Sequence, residues 1–98
     1  HEASLVPLEI METAVKALLL VEELAERGSR IAVSDAGVSA EFLNTAVLGG
    51  AMNVIINVKA MKDRDFAEKT KEKLLSLKKE GAERAEKIYC MVEKSLES

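Results

Sequence analysis

The chain has 98 residues, 48% of them hydrophobic, and a formal charge of −3 from 14 Lys and Arg against 17 Asp and Glu. That length supports one domain of modest size that leaves much of its surface wet, so packing against a partner is expected, and the acidic balance argues against a general nucleic-acid binder. The single cysteine, Cys90, excludes an intramolecular disulfide and fits a reducing cytoplasm, and neither a signal peptide nor a targeting tail is visible.

The first element reads as a helix from Leu5 to Gly28. Pro7 suits a first turn, where its missing N–H costs nothing, and Gly28 suits the left-handed position just past a helix end. Leu8, Met11, Val15, Leu18 and Leu19 recur at helical steps, while Leu20, Val21 and Leu24 widen the apolar arc and predict neighbours on more than one side.

A short connection over Ser29 to Val33 is expected next, with Ser34 and Asp35 as the N-cap of a second helix running to about Lys62. Gly37, Gly49 and Gly50 lie inside that helix, each costing about 1 kcal/mol relative to Ala, so close packing must compensate them. From Phe42 to Val58 the helix carries no charge for 17 residues, close to the roughly 20 that a bilayer requires. Three asparagines, two glycines and close flanking charges predict a buried core helix instead of a membrane span.

The third helix is expected from Asp63–Asp65 toward Leu96, with acids at its positive end. Phe66, Thr70, Leu74, Leu77, Gly81, Ala85, Ile88, Val92 and Leu96 fall in steps of 4, 4 and 3, the stripe of a nearly straight helix. Three long helices with short links predict an all-α, up-and-down bundle forming a single unit, part of a larger bundle or dimer. No strand pattern competes.

Asn53 and Asn57 lie one turn apart, beside Ala46, Gly49 and Gly50. Two carboxamides on a face of small residues predict either a polar seam between helices or a ligand-facing wall. Lys59, Lys62 and Arg64 follow in a locally basic stretch, which reads as a solvated surface or as a hold for a polyanionic tail. Asp35 is a cap by position and a ligand contact as its alternative. Cys90 is expected to be a buried structural thiol, and no HExxH, CxxC, Walker loop or GxGxxG supports a metal or nucleotide site.

Four blocks in order carry a resemblance: Ala3-x-x-Val6-Pro7-Leu8; Ser34-Asp35-Ala36-Gly37-Val38-Ser39-Ala40; Gly50-Ala51-x-Asn53-Val54-x-Ile56-Asn57-Val58; and Lys62-Asp63-x-x-Phe66. Together they resemble the C-terminal half of the formimidoyltetrahydrofolate cyclodeaminase and methenyltetrahydrofolate cyclohydrolase family, over almost the whole chain. The resemblance implies a helical, cytoplasmic homodimer acting on a tetrahydrofolate derivative as substrate, with no separate cofactor, no nucleic acid and no membrane. It implies one of two reactions: closing 5-formimidoyltetrahydrofolate to 5,10-methenyltetrahydrofolate with release of ammonia, or hydrolysing the methenyl bridge.

It further implies that Asp35, Asn53 and Asn57 line or position the folate slot and that Lys59 and Lys62 meet the glutamate tail. The family's N-terminal half, with its catalytic acid, has no match in these residues, and the start at His1 instead of Met fits that expectation. The alternative is a non-catalytic helical dimerisation module.

Overall fold

The computed structural model describes residues 2–27 and 30–97, with side chains over 6–27 and 33–97. Three helices follow one another: α1 (Glu2–Arg27), α2 (Arg30–Ala60) and α3 (Arg64–Glu97). Each packs against the other two in a slender bundle of 54 × 17 × 16 Å, the long dimension close to the ~51 Å that 34 helical residues span at 1.5 Å each. The all-α bundle expected from periodicity is the observed fold.

Two helix starts differ from expectation. α1 begins at Glu2, so Pro7 sits inside the helix and removes the bond to the carbonyl four residues earlier. α2 begins at Arg30, which places Ser34 and Asp35 within its second turn instead of at its cap. The reason is burial of Val33, which is 3% exposed among Leu18, Ala40, Ala85, Ile88 and Val92. Burying a Val side chain is worth about 1.5–3 kcal/mol, more than the ~1 kcal/mol of a typical cap, so the helix extends backward past the capping residues. Gly28 and Ser29 lie outside the described residues.

The core is two connected clusters. Leu8, Met11, Ala14, Val15, Val47, Ala51, Val54 and Leu74 fill one end, the Val33 cluster fills the other, and Leu43 packs against both. On α3 the buried positions are Ala67, Thr70, Leu74, Gly81, Ala85, Ile88 and Val92. This follows the expected stripe of 4, 4 and 3 steps except that Leu77 in its middle is only half-buried and, at its ends, Ala67 replaces half-buried Phe66 and Leu96 is exposed. Buried Thr70 satisfies its hydroxyl by donating to the Phe66 carbonyl at 2.8 Å.

The glycines show why so many small residues are present. A Cβ on Gly50 would lie 2.7 Å from Met11 Cγ and 3.0 Å from the Pro7 carbonyl oxygen, so α1 and α2 touch backbone to side chain there. Gly37 meets Val92 and Gly81 meets Val47 in the same way, at 3.1 and 3.3 Å. Gly49 is different: nothing lies within 4 Å of a Cβ there. Adjacent glycines therefore face opposite circumstances, one inward and one outward.

The buried-helix expectation for α2 holds for only one of its faces. Phe42, Met52 and Ile56 are 73%, 67% and 66% exposed. Among the described residues, Val33–Ala60 is long and apolar enough to cross a membrane by length and composition.

Ion pairs tie α1 to α3. Glu22 accepts from Arg84 Nη1 at 3.2 Å and Lys87 Nζ at 3.0 Å, and Lys73 Nζ pairs with Glu12 at 3.2 Å. The Lys87 hydrogen bond, reinforced by Arg84 against the opposing effect of desolvation, holds the Glu22 carboxyl below its ordinary value.

Two outcomes are expected from these contacts. Gly50→Ala lowers stability by about 1–3 kcal/mol through overpacking, whereas Gly49→Ala raises it by about 0.5–1 kcal/mol through helix propensity; urea denaturation midpoints measure both. Glu22→Gln costs about 0.5–1 kcal/mol at neutral pH, a value limited by solvent screening at half-exposed Lys87. A lowered native pKa stabilises above the unfolded carboxyl value of about 4.3, so the gap between native protein and variant closes as pH falls through the native value. Thermal unfolding between pH 7 and pH 3 checks the sign.

Candidate functional site

The turn between α2 and α3 assembles a chemically mixed surface. α2 ends at Ala60, where Met61 N donates to the Val58 carbonyl at 3.2 Å. Asp63 then caps α3, its Oδ1 accepting from Phe66 N at 3.0 Å while its carbonyl accepts from Ala67 N at 3.0 Å. Arg64 reaches back and donates through Nη1 to the carbonyls of Met61 at 2.9 Å and Val58 at 3.2 Å. A guanidinium thus closes the carbonyl end of α2, where the helix dipole is negative.

Beside that cap lies an open pocket of about 260 Å³. Ile55, Val58 and Leu74 contribute apolar surface, and Lys59, Arg64, Lys71 and Glu68 contribute charge. Three cations against one carboxylate make it an electropositive recess with an apolar floor, suited to an anion that carries methylene or ring carbons next to its charge. Arg64, Glu68, Lys71 and Leu74 follow helical steps of 4, 3 and 3 along one face of α3. That spacing was the signal available in the sequence for Glu68 and Lys71, which the resemblance did not single out.

The residues expected at the site are distributed unevenly. Lys59 lines the pocket, whereas exposed Lys62 is not among its lining residues. Asn57 is half-buried and already engaged in a polar or ring interaction. Asn53 is exposed and donates through Nδ2 to the Gly49 carbonyl one turn earlier at 3.5 Å, so it is not part of a dry polar seam between helices. Asp35 is exposed near the opposite end of α2, 24 residues from Lys59 and therefore ~36 Å away along the axis. The single chain does not bring it to the others.

The asparagine that does enter the interior is Asn44. Its Oδ1 is buried without a hydrogen-bond partner and would lie 3.3 Å from a Cβ at Gly81. An unpaired buried carbonyl oxygen costs about 1–3 kcal/mol, and the small Gly81 leaves the space in which the amide fits between α2 and α3.

Cys90 is exposed, against the expectation of a buried thiol. Its Sγ donates to Glu86 Oε1 at 3.7 Å, and desolvation together with the Glu86 carboxylate raises the thiol above its ordinary value. An exposed cysteine of this kind is poorly activated as a nucleophile. Among the described residues, no group of three or more His, Cys, Asp or Glu is placed to hold a metal ion.

Comparison with known proteins adds the family. The sequence model described as formiminotransferase-cyclodeaminase matches residues 1–76. The chain is 39% identical over 85 residues to formimidoyltransferase-cyclodeaminase from Rattus norvegicus, covering 87% of this chain and 16% of that protein. It is 34% identical over 84 residues to methenyltetrahydrofolate cyclohydrolase from Methylorubrum extorquens, covering 86% of this chain and 40% of the relative. The chain therefore spans less than half the length of either.

Proposed function

Since the chain belongs to the formiminotransferase-cyclodeaminase family, as the match over residues 1–76 establishes, we propose that it contributes to one-carbon chemistry on tetrahydrofolate. The observation that carries this reading is the 39% identity to a formimidoyltransferase-cyclodeaminase over 87% of the chain. The reaction proposed for the whole protein is closure of 5-formimidoyltetrahydrofolate with release of ammonia. Hydrolysis of the methenyl bridge is the second form of the reading, supported by the cyclohydrolase match.

The electropositive recess gives this chain a defined part in that reaction. The carboxylates of the substrate's glutamate tail meet Lys59 and Lys71, while the tail's methylenes pack on Ile55, Val58 and Leu74. Lys62 stands beyond the lining residues and serves a longer tail; Asn57 and Asn53 lie about half a turn and somewhat under two turns before Lys59, toward the middle of α2, on the side from which the rest of the folate enters. Asp35 takes no part in this end of a single chain. The group that moves protons at the reacting nitrogen or water is assigned to the N-terminal half of the domain, and the cytoplasm is the compartment proposed.

The alternative, a non-catalytic association module, draws on one specific observation, the exposed apolar face of α2. Isothermal titration of the full-length protein with a tetrahydrofolate derivative separates the two. Binding is expected, and Lys71→Ala weakens it about fivefold at low salt, with a smaller effect at high salt. Absence of binding by the full-length protein refutes the folate reading, and unchanged affinity in Lys71→Ala removes the tail from this pocket.

A further inference from the structure

The charged recess lies beside the C-terminal end of α2, a place that ordinarily repels anions. The last carbonyls of a helix have no partner within it, and together they present roughly half a negative charge to whatever stands next to them. Acceptance of a carboxylate there depends on what covers those carbonyls. Among the described residues the side chain that does so is Arg64.

A guanidinium has five N–H donors, two of them on Nη1. Nη1 of Arg64 donates to the Met61 carbonyl at 2.9 Å and to the Val58 carbonyl at 3.2 Å, which occupies that nitrogen. Among the described residues, Nε and Nη2 take part in no hydrogen bond or ion pair. The neighbouring acids leave them open. Asp63 accepts from Phe66 N at the start of α3, and neither Asp65 nor Glu68 forms an ion pair with Arg64. Lys59 and Lys71, which line the same recess, are likewise in no ion pair within the chain.

We propose that Arg64 works in two directions at once: Nη1 closes the carbonyl end of α2, while the Nε and Nη2 fork receives one carboxylate of a dicarboxylate in the recess, so that occupancy tightens the α2–α3 turn. The free edge is the planar, two-pronged one that matches a carboxylate. The second carboxylate meets Lys59 or Lys71, and the methylenes between the two lie on Ile55, Val58 and Leu74.

The coupling follows from a shared acceptor. The Val58 carbonyl takes both Arg64 Nη1 and the Met61 amide, the latter at 3.2 Å, so a carboxylate that fixes the guanidinium plane also fixes the group on which the Met61 N–H rests. Lysine has one nitrogen for the same tasks, and cannot hold two carbonyls and a carboxylate in one plane. That the natural dicarboxylate is the glutamate tail rests on the folate reading. The role of Arg64 does not, since any dicarboxylate with a short methylene chain presents the same groups.

Glutarate, two carboxylates joined by a short methylene chain, is the probe, titrated into the intact protein at constant ionic strength. Saturating glutarate is expected to slow hydrogen exchange of the Met61 amide at least about threefold in the native protein. Arg64→Lys keeps the charge, yet is expected to bind glutarate at least about fivefold more weakly and to exchange Met61 faster even without ligand. Lys71→Ala weakens glutarate by a similar factor while leaving Met61 exchange in the free protein at the native rate. The exchange measurement on the native protein needs no variant, so it decides even where Arg64→Lys impairs folding. Met61 exchange unchanged or accelerated by glutarate overturns the proposal. So does Arg64→Lys binding as tightly as the native protein, or no glutarate binding at about 100 mM. Protection of Met61 by glutarate in a full-length protein that binds no tetrahydrofolate derivative supports the role of Arg64 and refutes the folate reading; folate binding without that protection does the reverse.

Discussion

Close contact between α1 and α2 at Gly50 is the constraint on which the rest of the molecule depends. The Pro7 carbonyl stands 3.0 Å from the place a Cβ would take at Gly50, and Met11 is nearer still. At such a separation large side chains must alternate with small ones, so Met11 and Leu8 pack among Ala14, Val47, Gly50 and Ala51. α3 then lies against the pair in the same manner, with Gly81 over Val47 and Val92 over Gly37. Helix propensity given up at the three inward glycines is offset by dispersion contacts that a wider bundle would lose.

This narrow packing explains the asymmetry of α2. A helix that touches two neighbours at short range directs only part of its circumference inward, and its apolar residues exceed that part. Phe42, Met52 and Ile56 are left on the outside, together with Gly49. The slender, 54 Å long bundle thus leaves an apolar face of α2 open to solvent. At the end of α2 the same helix finishes in a turn capped by Arg64, and the exposed cations gathered there border the apolar side chains of the recess. The buried face, the exposed apolar face and one wall of the charged recess are therefore parts of one helix.

Much of this was legible in the sequence. The eleven-residue stripe on α3 identified Thr70, Leu74, Gly81, Ala85, Ile88 and Val92 as buried, because a long helix with one apolar side has one way to lie on its neighbours. Helix starts were less legible. Ser34 and Asp35 have good capping chemistry, but capping is a local preference of modest size, and burial of Val33 outweighs it. The site was legible in part for a similar reason: Lys59 falls on the recess because it closes α2, whereas Glu68 and Lys71 reach it from a different helix, and only the crossing of the two sets them together. Asn53 and Asn57, identical in type and one turn apart, differ in burial because rotation of α2 against its neighbours turns one toward solvent.

By itself the sequence determined the number of helices, their approximate extents, the buried stripe of α3 and the family, since these follow from periodicity, chain breakers and ordered motifs. Tertiary structure alone decided which of two adjacent glycines admits a neighbour, which asparagine enters the interior, and that Asp35 and Lys59 occupy opposite ends of one rod. The physical reason is that periodicity describes a helix's faces without saying which face meets which neighbour. That assignment depends on the rotation and separation of whole helices, and these are set by many contacts at once.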